Sequence, residues 1–229
     1  MSAYVYVRSL TALMLLCALV SCGSGGSSRS SSSLTISVQP SSSKILLGSS
    51  QTFYAAVTGT DNTTVDWSVN GIAGGSQSVG TISTSGVYTA PAILPTRATI
   101  SISATSQSDP SKSATALVSV TSDTTVSAAA TGTGVVLTGS AIALTAGVSS
   151  SGKPDPSVSW AVDGISGGNS SVGTITVTGS DTATYNAPAA LPNPNTATIT
   201  ATSVADASKS ASVSEKIARE FLYQQCWLK

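Results

Sequence analysis

The chain contains no histidine. That absence excludes Ser-His-Asp and Cys-His catalytic machinery and every histidine-ligated metal site. Charge is scarce as well: 9% of the 229 residues are charged, and ten bases balance ten acids. The cations are scattered singly, so nothing points to a nucleic-acid backbone as a partner. Aromatics make up 5% of residues and do not alternate with bases, which argues against stacking on single strands. Of the three cysteines, Cys17, Cys22 and Cys226, none lies in the body of the chain, so no internal disulfide holds it together. The leading apolar run, Ser9–Val20, is only about a dozen residues, against the ~20 a spanning helix needs.

What the chain has in abundance is Ser, Thr, Gly, Ala and Val, a composition suited to strands. It also has a repeat. The stretch Val65–Ile82, VDWSVNGIAGGSQSVGTI, returns as Val158–Ile175, VSWAVDGISGGNSSVGTI, with twelve of eighteen positions identical. Tyr88–Pro91 returns as Tyr185–Pro188, and Ala104–Ser106 as Ala201–Ser203. The offset grows from 93 to 97 because the second copy gains four residues around Thr178–Asp181. Solenoid repeats run to ~20–50 residues. A unit near ninety is instead the size of a small domain with its own core.

The N-terminus reads as a secretory leader: one positive charge at Arg8, the short apolar run, then Leu19–Val20–Ser21–Cys22. These four residues resemble the bacterial lipobox, which implies cleavage before Cys22, its diacylation, and anchorage to a membrane of the cell envelope. Leu16 before Cys17 rules that cysteine out of the part. Gly23 after the cysteine, by the same resemblance, favours the outer membrane or cell surface. An ordinary leader with a chance cysteine is the plainer alternative. Gly23–Ser33 is a Gly/Ser linker, a flexible coil of about 20 Å.

Within each copy the apolar residues alternate with polar ones, the period of half-buried strands. In the first copy Ile36 and Val38, Phe53 and Val57, Val65, Trp67 and Val69, Ile100 and Ile102, and Val118 and Val120 mark inward faces. In the second, Val158, Trp160 and Val162 repeat the tryptophan strand. Asn70–Gly71 and Asp163–Gly164 follow those strands and have the chemistry of a type I′ turn. About seven short strands with turns every 8–12 residues predict an all-β fold: two tandem β-sandwiches. The expected division is a signal peptide over 1–21, a lipidated cysteine and linker over 22–33, and domains over 34–121 and 122–214. The run W-S-V-N-G-I-x-G-G, then G-T-I-S, G-x-Y-T-A-P and A-T-S with S-K-S-A, resembles bacterial Ig-like repeats of the group 2 type. That resemblance implies Ig-like sandwiches on a secreted or surface protein and is silent about ligand.

Trp67 and Trp160 admit two readings, a sugar-stacking platform or a core residue. Their phase with inward valines favours the core. The end of the chain breaks the pattern. Glu215 falls where Val118 sat, and residues 215–229, EKIAREFLYQQCWLK, have helical composition. A partner-binding tail, a capping helix and a lost coding frame compete to explain it, with the last favoured. A half-built final strand then predicts a second domain weaker than the first.

Little else invites chemistry. Ser41–Ser42–Ser43–Lys44 fits S-x-x-K, but no companion motif accompanies it. Asp109 and Asp206 match across the copies and raise the question of calcium, which wants six to eight oxygens. Lys112 and Lys209, three residues on, favour a turn with a local ion pair instead. The expectation is a non-enzymatic envelope lipoprotein without cofactor, serving as a spacer or adhesion module with a surface glycan or protein as partner. A carbohydrate-binding or accessory module is the alternative.

Overall fold

Alternating side chains dictate pleated strands, and the computed structural model, which describes residues 33–219, contains strands and no helix over that range. The first sandwich is built from β1 (Thr35–Gln39), β2 (Ser42–Leu46), β3 (Ser50–Thr52), β4 (Tyr54–Thr58), β5 (Val65–Val69), β6 (Ile72–Ala73), β7 (Gly75–Ser76), β8 (Gly80–Ile82), β9 (Val87–Thr89), β10 (Thr99–Ser106) and β11 (Ser113–Thr121). The second comprises β12 (Thr125–Ala130), β13 (Val135–Leu137), β14 (Ala141–Ser149), β15 (Val158–Val162), β16 (Ile165–Ser166), β17 (Gly168–Asn169), β18 (Gly173–Val177), β19 (Thr182–Asn186), β20 (Thr196–Ser203) and β21 (Ser210–Ala218).

The second sandwich shows the plan most simply. One sheet runs β12-β14-β19-β18-β17 and the other β13-β21-β20-β15-β16. In immunoglobulin lettering these are A-B-E-D and G-F-C with short additions, which is the Ig-like arrangement. β13 lies parallel to β21, with Val136 opposite Ile217. The first sandwich has the same second sheet, β2-β11-β10-β5-β6. Its other sheet is divided into a β1-β4 pair and a β3-β9-β8-β7 group. The division falls at Phe53, between β3 and β4, whose N–H donates to the Gly86 carbonyl at 2.8 Å, next in register after Thr52 opposite Val87. The Phe53 ring is buried in the core, edge-on to Tyr88 with ring centroids 6.5 Å apart.

Each sandwich closes over its own apolar core. Trp67, Val69, Ile100, Ile102, Val118 and Val120 are buried in the first, and Trp160, Val162, Leu144, Ile199, Tyr185 and Ile217 in the second. The four residues gained by the second copy lengthen the β18–β19 hairpin, where Val177 stands 64% exposed. They add nothing to the core, which is why the insertion leaves the fold intact.

The expected break at Glu215 does not occur. β21 runs to Ala218, nine residues like β11, and pairs with β20 from Ser210 to Lys216. Glu215 lies opposite Ala197 as Val118 lies opposite Ile100, and it is only 4% exposed. Ile217 occupies the position of Val120 and is fully buried. Alternation resumes after one charged residue, so the strand tolerates Glu215 without ending there. The half-built strand that would have weakened the second sandwich is therefore absent. The helical reading does not hold for 215–218, and residues 220–229 lie outside the described residues.

Candidate functional site

The tryptophans occupy the interior: Trp67 is 8% and Trp160 4% exposed. Trp67 lies opposite Ala104, and Trp160 opposite Ala201, on neighbouring strands. Val69, Val158 and Val162 are buried beside them, and Val65 is half-buried. The sugar-platform reading of the two indoles has no exposed ring to work with. Tyr54 is the large exposed aromatic among the described residues, and Thr145 stands at its position in the second copy.

The turns after the tryptophan strands reach further than their chemistry suggests. Asn70 and Asp163 each have φ of 48°, followed by Gly71 and Gly164 at 79°. Their side chains latch onto the neighbouring strand: Asn70 Oδ1 accepts from the Ser101 N–H, and Asp163 Oδ1 from the Thr198 N–H, both at 2.8 Å. The tyrosines of the Tyr-x-Ala-Pro motif tie down the loop before β8 and β18. Tyr88 Oη donates to the Val79 carbonyl, and Tyr185 Oη to the Val172 carbonyl, both at 2.7 Å. Both rings are fully buried. Burial pushes both phenols up to about 12, and for Tyr185 the charges of Asp163 and Glu215 add to it. Each ring packs against a glycine. A Cβ on Gly80 would sit 2.6 Å from Tyr88 Oη, and one on Gly173 the same distance from Tyr185 Oη. Sequence reading noted the motif's recurrence but missed that its tyrosine is the largest fully buried side chain of each copy.

Asn70 and Asp163 also rim a pair of equivalent grooves. The first, of about 1010 Å³, lies between that turn, residues 76–81 and residues 91–97, with Asp155 of the second sandwich at its edge. The second, about 370 Å³, repeats it with Ser171, Val172, Ala190 and Leu191. Neither groove is lined by an aromatic side chain.

The first groove opens at the junction between the sandwiches. Only Ser122, Asp123 and Thr124 separate β11 from β12. Three backbone hydrogen bonds cross it. The Lys153 N–H donates to the Leu47 carbonyl at 2.8 Å, Asp155 N–H to the Ala92 carbonyl at 2.9 Å, and Leu94 N–H to the Ala205 carbonyl at 2.8 Å. Ala205 belongs to the second sandwich by sequence, yet it is fully buried within the first core. Two glycines permit the approach. A Cβ on Gly48 would overlap the Lys153 carbonyl, 2.0 Å away, and one on Gly152 the Leu47 carbonyl, 2.3 Å away.

Acids hold the surrounding loops. Asp123 accepts hydrogen bonds from the Ser150 hydroxyl and, at 3.0 Å, the Ser151 N–H, which together hold its carboxyl down at about 2. Asp206 is 7% exposed and accepts from the Ser208 hydroxyl at 2.7 Å and N–H at 3.0 Å. Asp109 is bound in the same way by Ser111. Hydrogen bonds from these serines are the leading cause that lowers both carboxyls, and Lys112 and Lys209 are the weakest. These acids therefore act as turn anchors held by serine, and the expected local ion pair is not what holds them. Among the described residues no group of three or more Cys, Asp or Glu side chains comes together to hold a metal. Ser41 and Lys44 lie exposed at and in the edge strand β2. Cys22 and the leader lie outside the described residues.

No family model and no curated protein matches the chain. Solved structures of tandem proteins are similar to it. An adhesin of Yersinia pseudotuberculosis has a TM-score of 0.43 at 15% identity over 80% of this chain and 58% of its own. A three-Ig fragment of titin has 0.34 at 19% identity, over 82% and 64%. The eight N-terminal Ig domains of the Down syndrome cell adhesion molecule have 0.34 at 16% identity, over 80% and 24%. The chain thus spans less than two thirds of the length of each. The Ig-like class rests on its own strand order.

Proposed function

We propose that this is a non-enzymatic protein of the bacterial cell envelope, of the group 2 Ig-like type, lipid-anchored at Cys22 and probing the surroundings as a surface spacer or adhesion module. The observation that carries the reading is the junction. A three-residue connection, three crossing backbone bonds and an alanine sunk in the neighbouring core suit a part whose task is to hold its far end at a set distance. A chain without histidine and without a carboxylate or cysteine cluster among the described residues suits such a role better than catalysis. The aromatic-free grooves disfavour glycan stacking as the main activity.

Two measurements test the reading together. Full-length protein and Cys22→Ser are expressed in a bacterium with an outer membrane, and membrane fractions are compared. Wild type is expected to partition with membrane and to carry labelled palmitate, and the variant to lose both. Purified protein without the leader is then applied to a glycan array and to cells. A spacer gives no specific signal, and an adhesion module gives one that falls when residues of the first groove are changed. Equal membrane partition of wild type and Cys22→Ser would remove the anchor from the account.

A further inference from the structure

The end of the first sandwich that receives the second is reproduced on the second sandwich, where among the described residues nothing is seated on it. Internal hydrogen bonds match bond for bond. Leu47 N–H donates to Thr121 as Thr138 N–H donates to Ala218, at 3.1 and 2.9 Å. Gly48 N–H donates to Pro91 as Gly139 N–H donates to Pro188, at 3.0 and 3.1 Å. Ala90 N–H donates to Ser49 as Ala187 N–H donates to Ser140, both at 2.9 Å. This register places the Thr138 carbonyl, the Ala189 carbonyl and the Leu191 N–H where Leu47, Ala92 and Leu94 bond across the junction. Among the described residues none of these three groups has a hydrogen-bond partner. The side chains agree. Leu46 and Leu94 are half-buried at the junction, whereas their counterparts Leu137 and Leu191 are 40% and 36% exposed.

The opposite ends of the two sandwiches differ, and that difference identifies the occupant. The inserting end of the second sandwich has eight residues, 150–157, between β14 and β15, with Gly152 among them, and Val204–Ala205 at its other loop tip. The first sandwich has six residues, 59–64, at the corresponding place, and Gln107–Ser108 at the tip. Those residues are bonded to each other: Thr60 with Ser108 at 2.8 Å, Thr64 with Gln107 at 2.8 Å and Gln107 with Asp66 at 2.7 Å. A polar, self-satisfied end of this kind behaves as the cap of a stacked array. A second copy of this chain would present that cap, and its own inserting end is already seated.

We propose that the Leu137–Ser140 and Pro188–Leu191 end of the second sandwich is a docking surface for a further Ig-like sandwich of the second sandwich's own type. Such a partner carries a small residue in place of Ala205 and a glycine in place of Gly152, and its backbone bonds to Thr138, Ala189 and Leu191. The stack therefore has a direction, closed at the first sandwich and open at the second.

The test extends the two sandwiches, the added copy taking the place of residues 219–229. A further copy of residues 122–218 is joined directly after Ala218, and amide exchange is followed residue by residue. In the native chain Leu94 N–H is expected to exchange at least about 100-fold more slowly than Leu191 N–H, because only the former is bonded across a junction. In the extended chain Leu191 is expected to slow to within about tenfold of Leu94. A third chain carries Ala205→Arg in the added copy alone, with slow exchange at that copy's Ile199 showing that it is folded. There Leu191 is expected to return to its native-chain rate. Unchanged exchange at Leu191 in the extended chain, with the added copy folded by the same criterion, would overturn the proposal.

Discussion

Glu215 stands in a strand position that the first sandwich fills with Val118, opposite an alanine and almost shielded from water. Burial pushes its carboxyl up. A raised acid favours the folded state fully below the unfolded value, ~4.3 for Glu, and that contribution is lost as pH rises through the raised folded value. Replacing Glu215 with Val is expected to stabilise the second sandwich at neutral pH by about 1–2 kcal/mol, read as a shift of its urea midpoint. In Glu215→Gln the acid-side gain of the wild type is expected to vanish. Asp123 has the opposite sign. Its lowered carboxyl contributes above the unfolded value, ~3.9, and that contribution is lost as pH falls toward about 2. Protection of the Ser151 N–H, relative to its free-peptide exchange rate, is therefore expected to fall over that acid range, and to be lost at every pH in Asp123→Ala. The buried tyrosines give a further test. Tyr88→Phe forfeits one hydrogen bond and is expected to cost about 1 kcal/mol. Gly80→Ala meets the ring itself, at a φ of 88°, and is expected to cost about 1–3 kcal/mol by thermal unfolding. Trp67→Ala should cost more than either, about 3–5 kcal/mol.

At the scale of strands, the alternation of apolar and polar side chains was enough to place most inward faces, because a half-buried sheet imposes a period of two. Val65, Trp67 and Val69 are legible for that reason, and so are the paired turns at Asn70 and Asp163. The same rule misled at the last strand. Glu215 broke the period by one residue, and the helical composition beyond it outweighed Ile217. Strand pairing decided otherwise, since β20 and β13 both supply ladder partners for that stretch. Phe53 shows a second limit. Its ring meets that of Tyr88 edge-on, a partner more than thirty residues away with no local signal. The elements at the junction make a prediction that neither sandwich makes alone. Ala205→Arg lies in the second sandwich, yet it is expected to lower the stability of the first, because its side chain would enter that core. Denaturation followed by exchange at Ile102 and at Ile199 should show the first affected at least as strongly as the second.

For the whole molecule, the duplication made the existence of two similar units legible. How they meet was not, because meeting depends on residues that look ordinary in a row. Ala205 is one small residue in a loop, and Ser108 occupies the same place in the other copy. Only the neighbouring core turns one of them into a buried contact. Gly152 belongs to a loop that reads as solvated, and its meaning lies in the Leu47 carbonyl pressed against it. The grooves share this origin, as Asp155 reaches the first groove only because the sandwiches adjoin. Three crossing backbone bonds and a shared core residue require the two sandwiches to move as one body through this junction. Residual dipolar couplings from both in a single weakly aligned sample test it most directly. One alignment tensor should describe both sandwiches of the wild type, and Gly152→Val should split it into two. Two tensors of different magnitude in the wild type would contradict the claim.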